Sequence, residues 1–219
     1  MKRFLNGIRS CVFGLEDGLV SISGLVLGVS AGTMDANTVI LAGIVGAVPA
    51  ALSMAAGDYL SSKSKRELQE KSVSDTRKLV KQKKQQALDA LRRHYAHEGL
   101  HKTEIDLVLR HLSKNEKLLM RRLQEVHGFV QEQFEFPMMN AAVMFSSFII
   151  AAFFIVLPFF VFPMQQAQLV TFVTTIAGLF FVGALKTRWT GKNWLVSGLE
   201  MLAVGGGVAV VGYALGTLF

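Results

Sequence analysis

Five apolar runs, at about residues 12–33, 38–60, 137–161, 169–185 and 194–218, can be threaded through a bilayer so that all 23 Lys and Arg residues fall on one side. Each run is close to the ~20 residues that a helix rising about 1.5 Å per residue needs to cross hydrocarbon. No water inside lipid can satisfy backbone groups, so runs of this length read as helices. Lys2, Arg3 and Arg9 precede the first run, 17 basic residues lie in 63–135, and Lys186, Arg188 and Lys192 separate the fourth run from the fifth. The two remaining loops hold no Lys or Arg. Positive charge stays in the cytoplasm, which puts the N-terminus, the long insert and the 186–193 loop there and Phe219 on the far side.

The expected fold class is therefore all-α: a polytopic membrane protein with five transmembrane helices and a three-helix cytoplasmic insert between spans two and three. Residues 1–62 form an N-terminal two-span part, 63–136 the insert, and 137–219 a three-span part. A formal charge of +7 is of the sign that nucleic acid attracts, but within 63–135 the 17 basic residues meet 11 acidic ones and no recognition motif accompanies them. That balance fits a topology signal facing anionic membrane lipid, and no nucleic-acid partner is expected. Cys11 is the lone cysteine, so neither a disulfide nor a thiolate metal site is available. The basic start lacks a small-residue cleavage site, and the first run reads as a retained anchor.

Within the insert, one helix is expected from about Glu67 to His97, stopped by Gly99. Thr103 before Asp106 and Ser113 before Glu116 have the spacing of N-terminal capping pairs. Ile105, Val108, Leu109 and Leu112 form one apolar stripe, and Leu119, Leu123, Val126 and Val130 another. Either stripe can be covered by the other or by a second copy of the chain. In the membrane, Gly24, Gly28 and Gly32, then Gly43 and Ala47, then Gly212 and Gly216 repeat every four residues. Such faces let helix backbones approach closely where lipid gives no hydrophobic drive to associate.

The acids inside the runs are the chemical exceptions: Glu16, Asp17, Asp58 and Glu200. One charge at the bilayer centre costs roughly 2.5–3.5 kcal/mol on insertion scales, so these side chains are expected to face protein or water. Span one runs outward and span two returns, which brings Asp17 and Asp58 to similar depth. Met54 and Asp58, four residues apart, share one helix face. Carboxylate oxygen with thioether sulfur suits Fe(II) or another late divalent ion better than Mg²⁺ or Ca²⁺. No GxSxG, HExxH or phosphate-loop pattern is present, and an enzyme is not expected.

The stretches GLEDGLVSISGLVLGVSAG (14–32), ILAGIVGAVPAALSMAAGDYLSSKSKRE (40–67) and TGKNWLVSGLEMLAVGGGVAVVGYALG (190–216) resemble the vacuolar iron transporter family, notably its bacterial members. The resemblance implies a homodimer with an ion path between the first spans, exporting cytosolic Fe²⁺ or Mn²⁺, in some members against protons. It places Asp17 and Met54 on that path, with Asp58 as the acid before Tyr59, and for a bacterial member it implies the cell membrane. The metal is then transported substrate, and no resident cofactor is expected.

Two departures bear on metal capture. Gly46 stands where plant-type members carry a Glu, and Arg77, Lys78, Lys81, Lys83 and Lys84 occupy a region where carboxylates gather in the family. His94, His97 and His101, with Glu98 and Glu104 nearby, are a candidate replacement, since imidazole binds Fe(II) and Mn(II). Met120 and Glu125 fall near a Met/Glu pair of the family's third insert helix, and Glu16 adjoins Asp17. The competing expectation is a non-transporting membrane anchor whose basic insert binds anionic lipid or a protein partner.

Overall fold

A computed structural model of the chain describes residues 2–126 and 136–217, with side chains from Gly7 onward. Among the described residues every regular element is helical. Val130, Glu132, Glu135, Leu218 and Phe219 lie outside them. Helices α1 (Lys2–Gly32), α2 (Ala36–Gln82), α6 (Pro137–Val156) with the short α7 (Pro158–Val161), α8 (Met164–Thr190) and α9 (Trp194–Gly216) supply five spans long and apolar enough to cross a membrane. Between them come α3 (Lys84–His97), α4 (Lys102–Ser113) and α5 (Glu116–Val126). The chain divides into two compact units, Met1–Ser61 with Phe136–Phe219, and Ser62–Glu135.

In the first unit α1 is the central helix and packs against α6, α8 and α9. Leu19, Ile22 and Val26 bury one of its faces among Phe148, Ala151 and Ile155 of α6, Leu179 of α8 and Ala47 and Ala51 of α2. Outward-facing positions stay apolar, for example Leu41, Ile44, Phe153 and Phe181, as a hydrocarbon solvent demands. The glycine repeat of α1 is used inside this unit. A Cβ on Gly28 would sit 2.8 Å from the Gly212 carbonyl oxygen, and one on Gly32 3.2 Å from that of Gly216. Helices α1 and α9 thus run parallel, almost backbone to backbone, which a larger residue at either position forbids.

The α1–α2 turn is closed by Asp35. Its carboxylate accepts from the backbone N–H groups of Asn37 (3.3 Å) and Thr38 (3.0 Å) and from the Thr38 hydroxyl. These bonds satisfy donors that the first turn of α2 would otherwise leave open. At the same end of the unit, α8 starts at Met164, five residues before the expected run. Its polar first turns are retained because Gln168 Nε2 donates to the Ser30 carbonyl oxygen at 2.6 Å.

The second unit departs from the expected helix over 67–97. Helix α2 continues without a break to Gln82, and Lys83 (φ −136°, ψ 50°) bends the chain before α3. Neither Pro nor Gly marks this bend. It lets Val80, Ala87 and Leu91 share one core with Ile105, Leu109, Leu112, Leu119 and Leu123. The two apolar stripes of α4 and α5 therefore cover each other. Gly99 (φ +91°) ends α3 as expected, with Gly99 N–H bonded to Ala96 O and Leu100 N–H to Tyr95 O, a Schellman closure.

The expected caps are corrected by two residues. Helix α4 is capped at His101, whose N–H donates to Glu104 at 2.8 Å, and Asn115 Oδ1 accepts from Leu118 N–H at the start of α5. Ser113 instead donates back to the Arg110 carbonyl at 2.9 Å. A hydroxyl three residues before an acid had two outlets, and the helix end took this one.

Gly28→Val should lower stability by about 1–3 kcal/mol through overpacking, read as thermal unfolding in detergent. Gly206→Val, with nothing within 4 Å of its Cβ position, should melt like wild type; equal melting of the two variants contradicts the α1–α9 packing. Hydrogen bonding from the Thr38 hydroxyl, then from the Thr38 and Asn37 backbone, holds the Asp35 carboxyl below its ordinary range. A depressed folded value contributes stability that is present above the ordinary carboxylate range and lost as pH falls through the folded value. Protection of the Asn37 and Thr38 amides, taken relative to the intrinsic exchange rate at each pH, should accordingly fall in acid, and Asp35→Ala should remove that pH dependence.

Candidate functional site

Asp58 is the most enclosed of the intramembrane acids, its side chain only 5% exposed. A carboxylate removed from water this far needs donors or a countercharge. Helix α1 supplies both. Ser10 Oγ donates to Asp58 Oδ2 at 2.8 Å, and Arg9 Nη2 lies 3.4 Å from Oδ1. Ser10 is itself buried, whereas the Arg9 side chain is 60% exposed.

Asp58 opens onto a cavity of about 550 Å³. Met54, one turn away on the same face of α2, lines it together with Met144 of α6. Ser10 and Phe13 of α1 form the facing wall, with Ser61 and Arg9 at its polar end. The cavity combines one carboxylate, two thioethers, two hydroxyls and one guanidinium. Its soft sulfur beside hard oxygen is a donor set for a late divalent cation.

Asp17 lies on the same α1 face as Ser10 and Phe13, one turn beyond Phe13. It is not part of the cavity wall. Its Oδ1 accepts from Ser21 Oγ at 2.8 Å. Side chains at four-residue steps along this face, Phe13, Ser21 and Leu25, are exposed, and Asp17 is half-buried among them. Helices α1 and α2 are antiparallel, with Ser10 beside Asp58 and Leu25 against Gly46. This register sets Asp17 and Met54 within about a turn of each other in depth, and it corrects the expected similar depth of Asp17 and Asp58: Asp58 is level with Ser10, about two turns from Asp17.

Glu16 is half-buried and within electrostatic reach of Lys186 and Asp17. Glu200 is exposed on α9 and, in the register that sets Gly28 beside Gly212, is level with Glu16. Among the described residues no three His, Cys, Asp or Glu side chains converge on one point. A cation in the Asp58 cavity would thus draw on sulfur, hydroxyl or water ligands besides the carboxylate.

The second unit does not gather its candidate ligands. His94 Nε2 pairs with Glu98 Oε1 at 3.3 Å, but the turn at Gly99 separates this pair from His101. His97 is exposed, and Glu104 is taken up by the His101 backbone. Glu125 is bound by Arg121 at 3.2 Å and Arg122 at 2.9 Å, while Met120 packs against the apolar core.

Sequence reasoning missed Arg9, Ser10, Ser61 and Met144. Arg9 counted there only as a topology charge, and Met144 is one apolar residue in an apolar run. The Arg9-Ser10 dipeptide at the mouth of a span, opposite an acid of the antiparallel neighbour, was the legible signal.

Comparison with known proteins agrees in extent with this five-span plan. The VIT family model matches residues 8–217. Vacuolar iron transporter 2 of Oryza sativa subsp. japonica is 27% identical over 214 residues, covering 93% of this chain and 85% of that protein. Vacuolar iron transporter cccA of Arthroderma benhamiae is 28% identical over 222 residues, covering 95% and 78%. Over a short stretch of 55 residues, identity to vacuolar iron transporter homolog 4 of Oryza sativa subsp. japonica reaches 47%.

Ser10→Ala removes a bond to a buried carboxylate and should cost about 1.5–3 kcal/mol in thermal unfolding. Ser146→Ala, whose hydroxyl is exposed and bonds only its own helix, is the control and should be near neutral.

Proposed function

Because the chain belongs to the VIT family, we propose that it is a transporter of divalent transition metal, carrying Fe²⁺ or Mn²⁺ out of the cytosol. The observation that carries this reading is the buried Asp58 carboxylate beside the Met54 thioether in a cavity between membrane helices. That donor set favours a late divalent ion over Mg²⁺ or Ca²⁺, whose shells are all oxygen. Relatives named vacuolar iron transporters align along nearly the whole chain. The clustering of Lys and Arg on one side of the five spans puts the N-terminus, and with it the mouth of this cavity, in the cytoplasm. An ion enters beside Asp58 and passes to Asp17, about two helical turns further into span one.

The working unit is a homodimer. The exposed α1 stripe of Phe13, Asp17, Ser21 and Leu25 carries a carboxylate in the midst of an apolar span. Facing lipid, that charge would cost roughly 2.5–3.5 kcal/mol. A second subunit laid against α1 takes this face out of lipid and brings two Asp17 side chains together, where a divalent cation between them would offset their charge. Exchange against protons, which the resemblance implies for some members, completes this reading. The membrane is the cell membrane, in line with the bacterial members that the motifs resemble.

Purified protein in liposomes loaded with a metal-quenched dye should quench on addition of Mn²⁺ or of Fe²⁺ under anaerobic conditions. Asp17→Ala, Met54→Ala and Asp58→Ala should each slow the initial rate by about tenfold or more, the scale on which even the outer partners of metal sites act. Wild-type rates in all three variants would overturn the site. Salt-sensitive lipid sedimentation with no metal-dependent signal in wild type would favour a membrane anchor instead.

A further inference from the structure

We infer that Arg9 is a tethered stand-in for the cargo ion: its guanidinium occupies Asp58 while the cavity is empty and leaves when a divalent cation binds. The inference rests on the transport reading above and adds to it a residue that sets which cations may enter.

Three features of the Asp58 site point to this. The two bonds to the carboxylate are unequal. Ser10 Oγ holds Oδ2 at 2.8 Å from a buried position, whereas Arg9 meets Oδ1 through one nitrogen at 3.4 Å. Charge-assisted contacts close at about 2.7–2.9 Å and are frequently two-pronged for Arg, so this is a loose hold. Next, the Arg9 side chain is 60% exposed against 5% for Asp58. The guanidinium has water on its other side and can swing out, while the carboxylate stays anchored by Ser10. Lastly, the oxygen that Arg9 covers is on the side chain that shares the cavity with Met54. Release of Arg9 uncovers oxygen next to sulfur.

Charge decides which ions achieve the exchange. A monovalent cation offers the carboxylate no more charge than the guanidinium already does, so it gains nothing by displacing a tethered partner. A divalent ion doubles the attraction, and its repulsion of the guanidinium helps to drive Arg9 out. Arg9 thereby screens against Na⁺ and K⁺, and Met54 screens against hard divalent ions. If the guanidinium covers the carboxylate nine-tenths of the time, the apparent affinity for the ion falls by about tenfold.

The test is a split of transport parameters in liposomes with Mn²⁺ as the probe. Arg9→Gln should lower KM by about tenfold without raising the maximal rate, and K⁺ should now compete. In Arg9→Gln/Asp58→Asn the fall in KM should vanish. A purely structural Arg9 would lower the melting temperature and the maximal rate and leave KM in place. As a check that needs no variant, a dicarbonyl reagent should modify Arg9 of the wild-type protein faster when Mn²⁺ is present and not when K⁺ is, read by mass spectrometry. An unchanged KM in folded Arg9→Gln, or Arg9 modification indifferent to Mn²⁺, overturns the inference. That result is distinct from failure of the transport reading, in which Asp58→Ala itself carries Mn²⁺ like wild type.

Discussion

A carboxylate placed almost out of reach of water between membrane helices must be answered by neighbouring donors, and the answer to Asp58 organises this end of the membrane unit. Ser10 and Arg9 come from consecutive residues of α1, so one short stretch of chain supplies both a fixed hydrogen bond and a movable countercharge. The pairing ties α2 to α1 and fixes the register that brings Met54 to within about a turn of Asp17 in depth. The cavity lined by Met54 and Met144 opens onto that one buried charge.

The second constraint is close backbone approach. Gly28 and Gly212 let α1 and α9 run nearly in contact, and Gly18 meets Phe148 and Ala151 of α6, where a Cβ would come within 2.8 Å of both. With its other sides packed this tightly, α1 keeps one exposed stripe, and that stripe carries Asp17. Glycine packing and the exposed stripe are therefore two aspects of one arrangement: helices that approach on glycine leave this face of α1 uncovered.

Much of this was legible in the sequence because lipid imposes simple rules. Length and hydropathy marked five spans, and the four-residue spacing put Met54 and Asp58 on one face. The α4 and α5 stripes announced a small helical core. Legibility ended where a residue's role depended on a partner distant in the chain. Ser10 and Asp58 are 48 residues apart, and only the antiparallel course of the two spans sets the Arg9-Ser10 dipeptide opposite that acid. The bend at Lys83 and the caps at His101 and Asn115 were misread for a related reason. Several residues near each helix end could close it, and core packing chose among them. The turn at Gly99, expected from the sequence to stop that helix, separates His101 from His94 and His97.

Whether a divalent cation replaces Arg9 at Asp58 and Met54 can be seen by anomalous diffraction from crystals of the full chain grown with Mn²⁺. The expected result is a metal peak bonded to the Asp58 carboxylate and adjacent to the Met54 sulfur, with the Arg9 guanidinium turned away from it. Metal peaks confined to the 62–135 unit, with Arg9 still resting on an unoccupied Asp58, would contradict it.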